Sequence, residues 1–188
     1  MNNYSWLEQK LHKFALSSQF MREVTFDFES TNISSLSETG PHVFITGLAR
    51  AGTTILLNAL YKSNIFASLS YADMPFVLAP NLWSKISFKK KDLELKERAH
   101  GDGIKVSKES PEAFEEVFWK TFENEEEGEE LEEKFRIYVN NIMLKYKKNR
   151  YLSKNNQNIR RLELISSIFT HSKILIPFRD PIQHSYSL

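Results

Sequence analysis

Gly47-Leu-Ala-Arg-Ala-Gly52-Thr53-Thr54 sets two glycines around four residues and follows them with two threonines. The run before it, residues 43–46, is apolar and rich in β-branched and aromatic side chains, the signature of a buried strand. The run after it, residues 53–60, places Ile55, Leu56, Ala59 and Leu60 at helical spacing. A strand, a glycine-bounded loop and a helix N-terminus make an anion site, because the unpaired N–H groups of the first helical turn and the helix dipole face the loop. The glycine spacing is that of a nucleotide phosphate loop, yet the lysine that reaches a terminal phosphate in a nucleoside triphosphatase is absent; Thr53 and Thr54 occupy that position and the next. The positive charge sits inside the loop as Arg50. Such a loop suits one phosphate and presents a cation to whatever that phosphate carries. A plain strand-to-helix turn is the bland alternative, and the paired threonine hydroxyls weigh against it.

Four further groups have chemical potential. Near the tail, Arg179-Asp180-Pro181 leaves the apolar run 173–178, with Ser187 a short helix further on. An arginine fork matches a phosphate better than a point charge does, and a helix starting at Pro181 would add N–H donors. Lys154 ends a short apolar stretch, residues 151–153. Asp73 lies in the loop after a second strand candidate, residues 65–69, where open α/β sheets hold their ligands, a place that Tyr71 or Ser70 could also take; a cap for a helix near Pro75 is an equal reading of it. His100, beside Gly101-Asp102-Gly103, is a candidate base because imidazole titrates near neutrality, although a plain turn accounts for that segment as well.

Arg50-Ala51-Gly52-Thr53-Thr54 resembles the 5′-phosphosulfate loop of sulfotransferases, enzymes that use 3′-phosphoadenosine 5′-phosphosulfate (PAPS). The family usually has serine where this chain has Ala51. Arg179 and Ser187 look like the pair that binds the ribose 3′-phosphate in that family, and Lys154 resembles the lysine that contacts the sulfonate and the bridging oxygen. The resemblance implies a PAPS-dependent sulfotransferase, with a hydroxyl or amine acceptor, possibly a carbohydrate, and no metal. Arg50, Ala51, Gly52, Thr53, Thr54, Arg179 and Ser187 would bind the donor, and Lys154 would be catalytic. Small-molecule sulfotransferases carry a histidine base two positions past that lysine; Asn156 stands there and cannot take a proton, which turns attention to Asp73 or His100. It also implies a chain shorter than the family's usual domain. A catalytically impaired, sulfotransferase-like binding domain and a nucleotide kinase are the alternatives.

Composition bounds the rest. The chain has 188 residues, enough for one domain with a core, with 41% hydrophobic and 26% charged residues. A net charge of +1 gives no broad electrostatic case for nucleic acid or an anionic membrane. The absence of cysteine excludes disulfides, thiolate nucleophiles and cysteine zinc sites. No stretch has the length of a membrane span and residues 1–20 lack the pattern of a signal peptide, so a soluble cytoplasmic protein is expected.

The elements that must position these groups follow an alternating strand–helix order, which predicts an α/β fold: a parallel sheet with flanking helices and a helical insertion over the site. One sulfotransferase-like domain is expected over 1–188. Residues 1–40 would form an N-terminal helix (4–20) and loop, with a short edge strand at 25–28. A mostly helical cap is expected over about 74–149, including a solvated Lys/Glu-rich stretch at 87–98, a helix starting at Ser110-Pro111 and a break at Gly128. Residues 158–169 read as a helix, and 173–178, the most apolar strand candidate, as the centre of the sheet.

Overall fold

The structure, a computed structural model, describes residues 18–31, 40–87, 96–97, 105–107, 109–123 and 128–187. Its centre is a parallel sheet of three strands. β1 (Val43–Ile45) lies between β4 (Leu152–Lys154) and β5 (Lys173–Leu175), and Ile45 is level with both Lys154 and Leu175. Beyond β4, the extended segment after Ile65 adds one parallel bridge, Ala67 to Tyr151, with the Ala67 N–H donating to the Arg150 carbonyl at 2.7 Å. A separate antiparallel pair, β2 (Lys96–Glu97) and β3 (Lys105–Val106), stands apart from this sheet.

Alternation along β1 builds two cores, since successive strand residues face opposite sides. Val43 and Ile45 pack with Leu57, Phe66 and Leu152 beneath α2 (Thr53–Tyr61). Phe44 points the other way, into the larger cluster of α1 (Gln19–Ser30), α4 (Glu115–Phe122) and α5 (Glu129–Tyr146). Phe118 is central there, its ring 5.2 Å from Phe135 and 5.0 Å from Tyr138. Fully buried aromatic side chains at such offsets supply much of a small core's stabilisation. Helices of the central region thus form one layer of the core. Among the described residues, no helix is long and apolar enough to cross a membrane.

The α/β architecture with a parallel sheet agrees with the sequence, and several elements differ in detail. Residues 25–28, expected as an edge strand, lie within α1. Ser18 caps that helix by accepting from the Met21 N–H at 3.2 Å, and Phe26 and Glu29, one turn apart, both turn inward. The helix signalled at Ser110-Pro111 begins later, at Glu115, because the preceding segment is drawn into extended pairing: Glu112 N–H donates to the Leu69 carbonyl at 3.1 Å and Tyr71 N–H to the Ser110 carbonyl at 3.3 Å. No helix starts at Pro75; a 3₁₀ turn at Tyr71–Asp73 is followed by α3 (Pro80–Ile86), whose first N–H groups are met by buried Glu29. Residues 158–169 divide into a 3₁₀ turn, Asn156–Arg160, and α6 (Leu162–Ile168). The apolar run at 173–178 supplies β5 at the edge of the three-stranded sheet, not its centre. Pairing on both sides decides the centre, and β1, buried throughout, has it. The 4–20 helix and the turn at His100 fall outside the described residues, apart from Ser18 to Phe20, which cap and open α1.

Candidate functional site

All three parallel strands end on the same side, so the segments that follow them meet. The loop 46–52 leaves β1, Asn155 and Asn156 leave β4, and residues 176–180 leave β5. Backbone hydrogen bonds tie these exits together. Asn155 N–H donates to the Ile45 carbonyl at 2.9 Å, Thr46 N–H to the Leu175 carbonyl at 3.0 Å, and the buried Thr46 hydroxyl to the Asn156 carbonyl at 3.2 Å. Gly47 has φ of +138°, a backbone angle that favours glycine; a Cβ there would meet only ordinary contact, 3.4 Å from the Pro177 carbonyl oxygen, so the angle and not crowding calls for glycine. Gly52, with φ of +96°, is the N-cap of α2, and Thr53 and Thr54 follow it, buried, in the first helical turn. The sequence expectation of a strand, a glycine-bounded loop and a helix N-terminus is met.

The tail docks on this loop. α7 (Pro181–Ser185) brings His184 against it, its Nε2 donating to the Ala49 carbonyl at 2.7 Å. Arg50, itself in the left-handed region at φ of +65°, donates from Nε to the Ser187 carbonyl at 2.9 Å. Arg179 donates from Nη1 to the Arg50 carbonyl at 3.4 Å. Both guanidinium groups are exposed and both hold neutral carbonyls; among the described residues neither has a carboxylate partner. One cation on the loop and a second donating to the loop's backbone, neither with a carboxylate partner among the described residues, favour an anion at this place.

Other details depart from expectation. The N–H groups of Ile182 and Gln183, expected as donors to a ligand, are taken by the Asp180 carboxylate at 3.0 and 3.1 Å. Ser187 Oγ donates to the His184 carbonyl at 2.8 Å, so its proton is engaged while its lone pairs face outward from that bond. Lys154, half-buried, ends β4 level with Ile45, beside the root of the loop. Ala51 is buried beneath the loop.

Asp73 is wholly buried and fully engaged. Its Oδ2 accepts from the Ser70 N–H at 2.7 Å, the Ser70 hydroxyl at 3.2 Å and the Tyr146 hydroxyl at 2.6 Å, while Oδ1 accepts from the Lys145 ammonium. It closes the capping box of the 3₁₀ turn, the capping role expected of it but at a different element. Burial brings Lys145 down to about 8 against the opposing field of Glu29, and pushes Tyr146 up. Both oxygens are thus taken by four donors of the same chain, with no exposed surface from which to meet an acceptor. His100 lies outside the described residues. Sequence reasoning missed His184; a histidine in a short polar helix carries no local sign of a partner in the loop far upstream.

The strand exits open onto a cavity of about 820 Å³, lined among others by Ala49, Asn156, Ile159, Phe178, Arg179 and His184. That volume is within the range of small-molecule sites, and its walls are largely apolar with a few polar groups. Asn156 Oδ1, buried and with no partner among the described residues, is one of them. A smaller cleft of about 310 Å³, lined by His42, Arg136 and Phe169, opens at the opposite end of the strands. Among the described residues no three His, Asp or Glu side chains gather as a metal-binding set.

Residues 41–188 match the family model described as the sulfotransferase family. No curated protein matches the chain. Among solved structures it is similar to the sulfotransferase STF9 from Mycobacterium avium, with a TM-score of 0.56 and 13% identity over 100% of this chain and 56% of that one. It is similar also to STF1 from Mycobacterium tuberculosis H37Rv, with a TM-score of 0.54 and 13% identity over 96% of this chain and 57% of that one. The chain therefore spans just over half the length of these structures, and at that identity the likeness is one of fold.

Proposed function

The chain belongs to the sulfotransferase family, and from that premise we propose that it moves a sulfuryl group from PAPS to a hydroxyl or amine acceptor, with a carbohydrate as the preferred class. The observation that carries this reading is that Arg179, 129 positions away in sequence, donates to the backbone carbonyl of Arg50, so that both arginines stand at one loop. A donor with phosphates at both ends of one ribose needs two cationic sites a few ångströms apart, and ordinary ATP does not.

In this reading the N–H groups of the loop and of α2's first turn, with Arg50, hold the 5′-phosphate. Arg179 and Ser187 hold the 3′-phosphate. The acceptor oxygen attacks sulfur in line, the bond from sulfur to the bridging oxygen breaks, and adenosine 3′,5′-bisphosphate leaves. Lys154 and Arg50 stabilise the charge that develops on that bridging oxygen. The acceptor's proton passes to a base; with Asp73 engaged by four donors, His100 is the group to test first. That engagement also favours a second reading, a domain that binds the nucleotide without turning it over.

Calorimetric titration tests the assignment. Adenosine 3′,5′-bisphosphate is expected to bind at least about tenfold more tightly than 5′-AMP, the difference one charge-assisted phosphate contact makes. Equal affinities would remove Arg179 and Ser187 from the site. Transfer of labelled sulfate from PAPS to a panel of glycans and phenols separates the two readings: binding without transfer selects the second.

A further inference from the structure

His184 has no place in the chemistry above, yet it is the most buried group of the tail. Only 7% of it is exposed, while its neighbours Gln183 and Ser185 are open to solvent. Its Nε2 meets the Ala49 carbonyl at 2.7 Å, a contact between residues 135 positions apart. Ala49 precedes Arg50, the loop's non-glycine residue with a positive φ. A loop that presents its N–H groups to an anion must turn carbonyls the other way; Ala49 itself is exposed, and its carbonyl is held by the buried His184 ring in a partly buried bond whose loss would free the loop. An imidazole at this point takes that carbonyl whether the ring is neutral, with its proton on Nε2, or charged.

The same helix is bracketed by the two groups assigned to the other phosphate. Arg179 stands just before α7 and Ser187 just after it, and the Ser187 hydroxyl and N–H both donate to the His184 carbonyl at 2.8 and 2.9 Å. His184 therefore grips the loop with its side chain and the tail with its backbone. We propose that His184 is a positioning residue that fixes the conformation of the loop 48–52 and so sets the affinity of the site for a 5′-phosphate, locking the loop to the segment that receives the 3′-phosphate. The inference rests on the phosphate assignments above for its ligands, but not for the loop geometry itself.

Three variants test it. Gln places an amide donor near Nε2, Asn places one near Nδ1, and Leu has none. His184→Leu is expected to weaken adenosine 3′,5′-bisphosphate about tenfold, the loss of one partly buried hydrogen bond, while 3′-AMP changes less than about twofold. His184→Gln is expected to recover to within about threefold of the parent and His184→Asn to behave like His184→Leu. Where His184→Leu does not fold, the Gln and Asn pair carries the comparison, both being polar and of similar size. Equal loss for the bisphosphate and 3′-AMP would mean that His184 merely holds the tail in place, and equal behaviour of Gln and Asn would mean that the Nε2 contact is idle; either result overturns the proposal. Hydrogen exchange of residues 48–54, measured without ligand, is expected to speed up in His184→Leu and His184→Asn alone. That arm keeps the two ideas separable. A parent protein that binds neither nucleotide defeats the phosphate reading, and the exchange pattern still decides the role of His184.

Discussion

Arg161 and the pair Arg50 and Arg179 are the same residue type in opposite settings. Arg161 is 8% exposed; its Nε and Nη2 reach both oxygens of Glu123 at 2.7 and 2.5 Å, its Nη1 reaches Glu116 at 3.1 Å, and its guanidinium lies 4.7 Å from the centre of the Trp119 ring. Every strong direction of the fork is filled by a carboxylate of the same chain. Arg50 and Arg179 spend one N–H each on a carbonyl and keep the rest of their forks and their full charge available. A closed fork supports the fold; an open one, among the described residues, keeps its charge for another partner. The neighbouring carboxylates show the same division. Glu115 is buried under donation from the Trp119 indole, the Tyr151 hydroxyl and the Asn158 amide, and Asp73 under its four donors, whereas no carboxylate among the described residues pairs with the loop arginines.

The largest effect is expected where a closed centre is opened. Asp73→Asn leaves the Lys145 ammonium without its counter-charge in a buried setting and is expected to cost about 3–5 kcal/mol in urea unfolding. A loss below about 1 kcal/mol would instead release Asp73 from its structural duty and return it to the candidates for the base. Arg161→Met follows, at about 2–3 kcal/mol, less because Glu123 is partly exposed and can rehydrate.

Next comes pH. Burial, with Arg150 adding to it, lowers His42 from 6.5 to about 4. The unfolded chain takes up that proton near pH 6.5 and the folded one refuses it until about pH 4, so this contribution is whole above about 6.5 and is lost as pH falls through that window. The melting temperature should drop accordingly, by an amount worth up to about 3 kcal/mol, and His42→Phe should flatten that part of the profile. The smallest effect on stability, within about 0.5 kcal/mol, is expected for Arg50→Met, although the same change should weaken adenosine 3′,5′-bisphosphate by at least about tenfold. A destabilisation as large as that of Arg161→Met would erase the distinction between open and closed forks.

What could be read from the sequence followed how local the physics is. The loop 47–52 was legible because glycines, a helix start and threonine donors act within a few residues of each other. Arg179 and Ser187 were legible as spaced types, and the structure sets Arg179 at the Arg50 carbonyl. The edge position of β5 was not, since apolarity describes a strand's faces and says nothing of how many neighbours it has. Residues 25–28 alternate well enough for a strand, and only the packing of Phe26 and Glu29 on one side decides for α1. Asp73 could be a base or a cap on its sequence alone; the donors that decide, Lys145 and Tyr146, come from the end of α5, far along the chain. His184 and Ala49 were invisible to each other for the same reason.

The level alignment of Ile45 with Lys154 and Leu175 works as a ruler. Cα partners in a parallel ladder share a face, so moving β4 by a single residue would carry the lysine to where Ser153 now sits, against the aromatic layer beside Phe44, and leave the loop 46–52 without it. Insertions in the connections between strands only lengthen the route from one motif to the next. Related sequences can therefore drift in the distance between these motifs, while the count of residues from each strand's start to its working side chain has no such freedom.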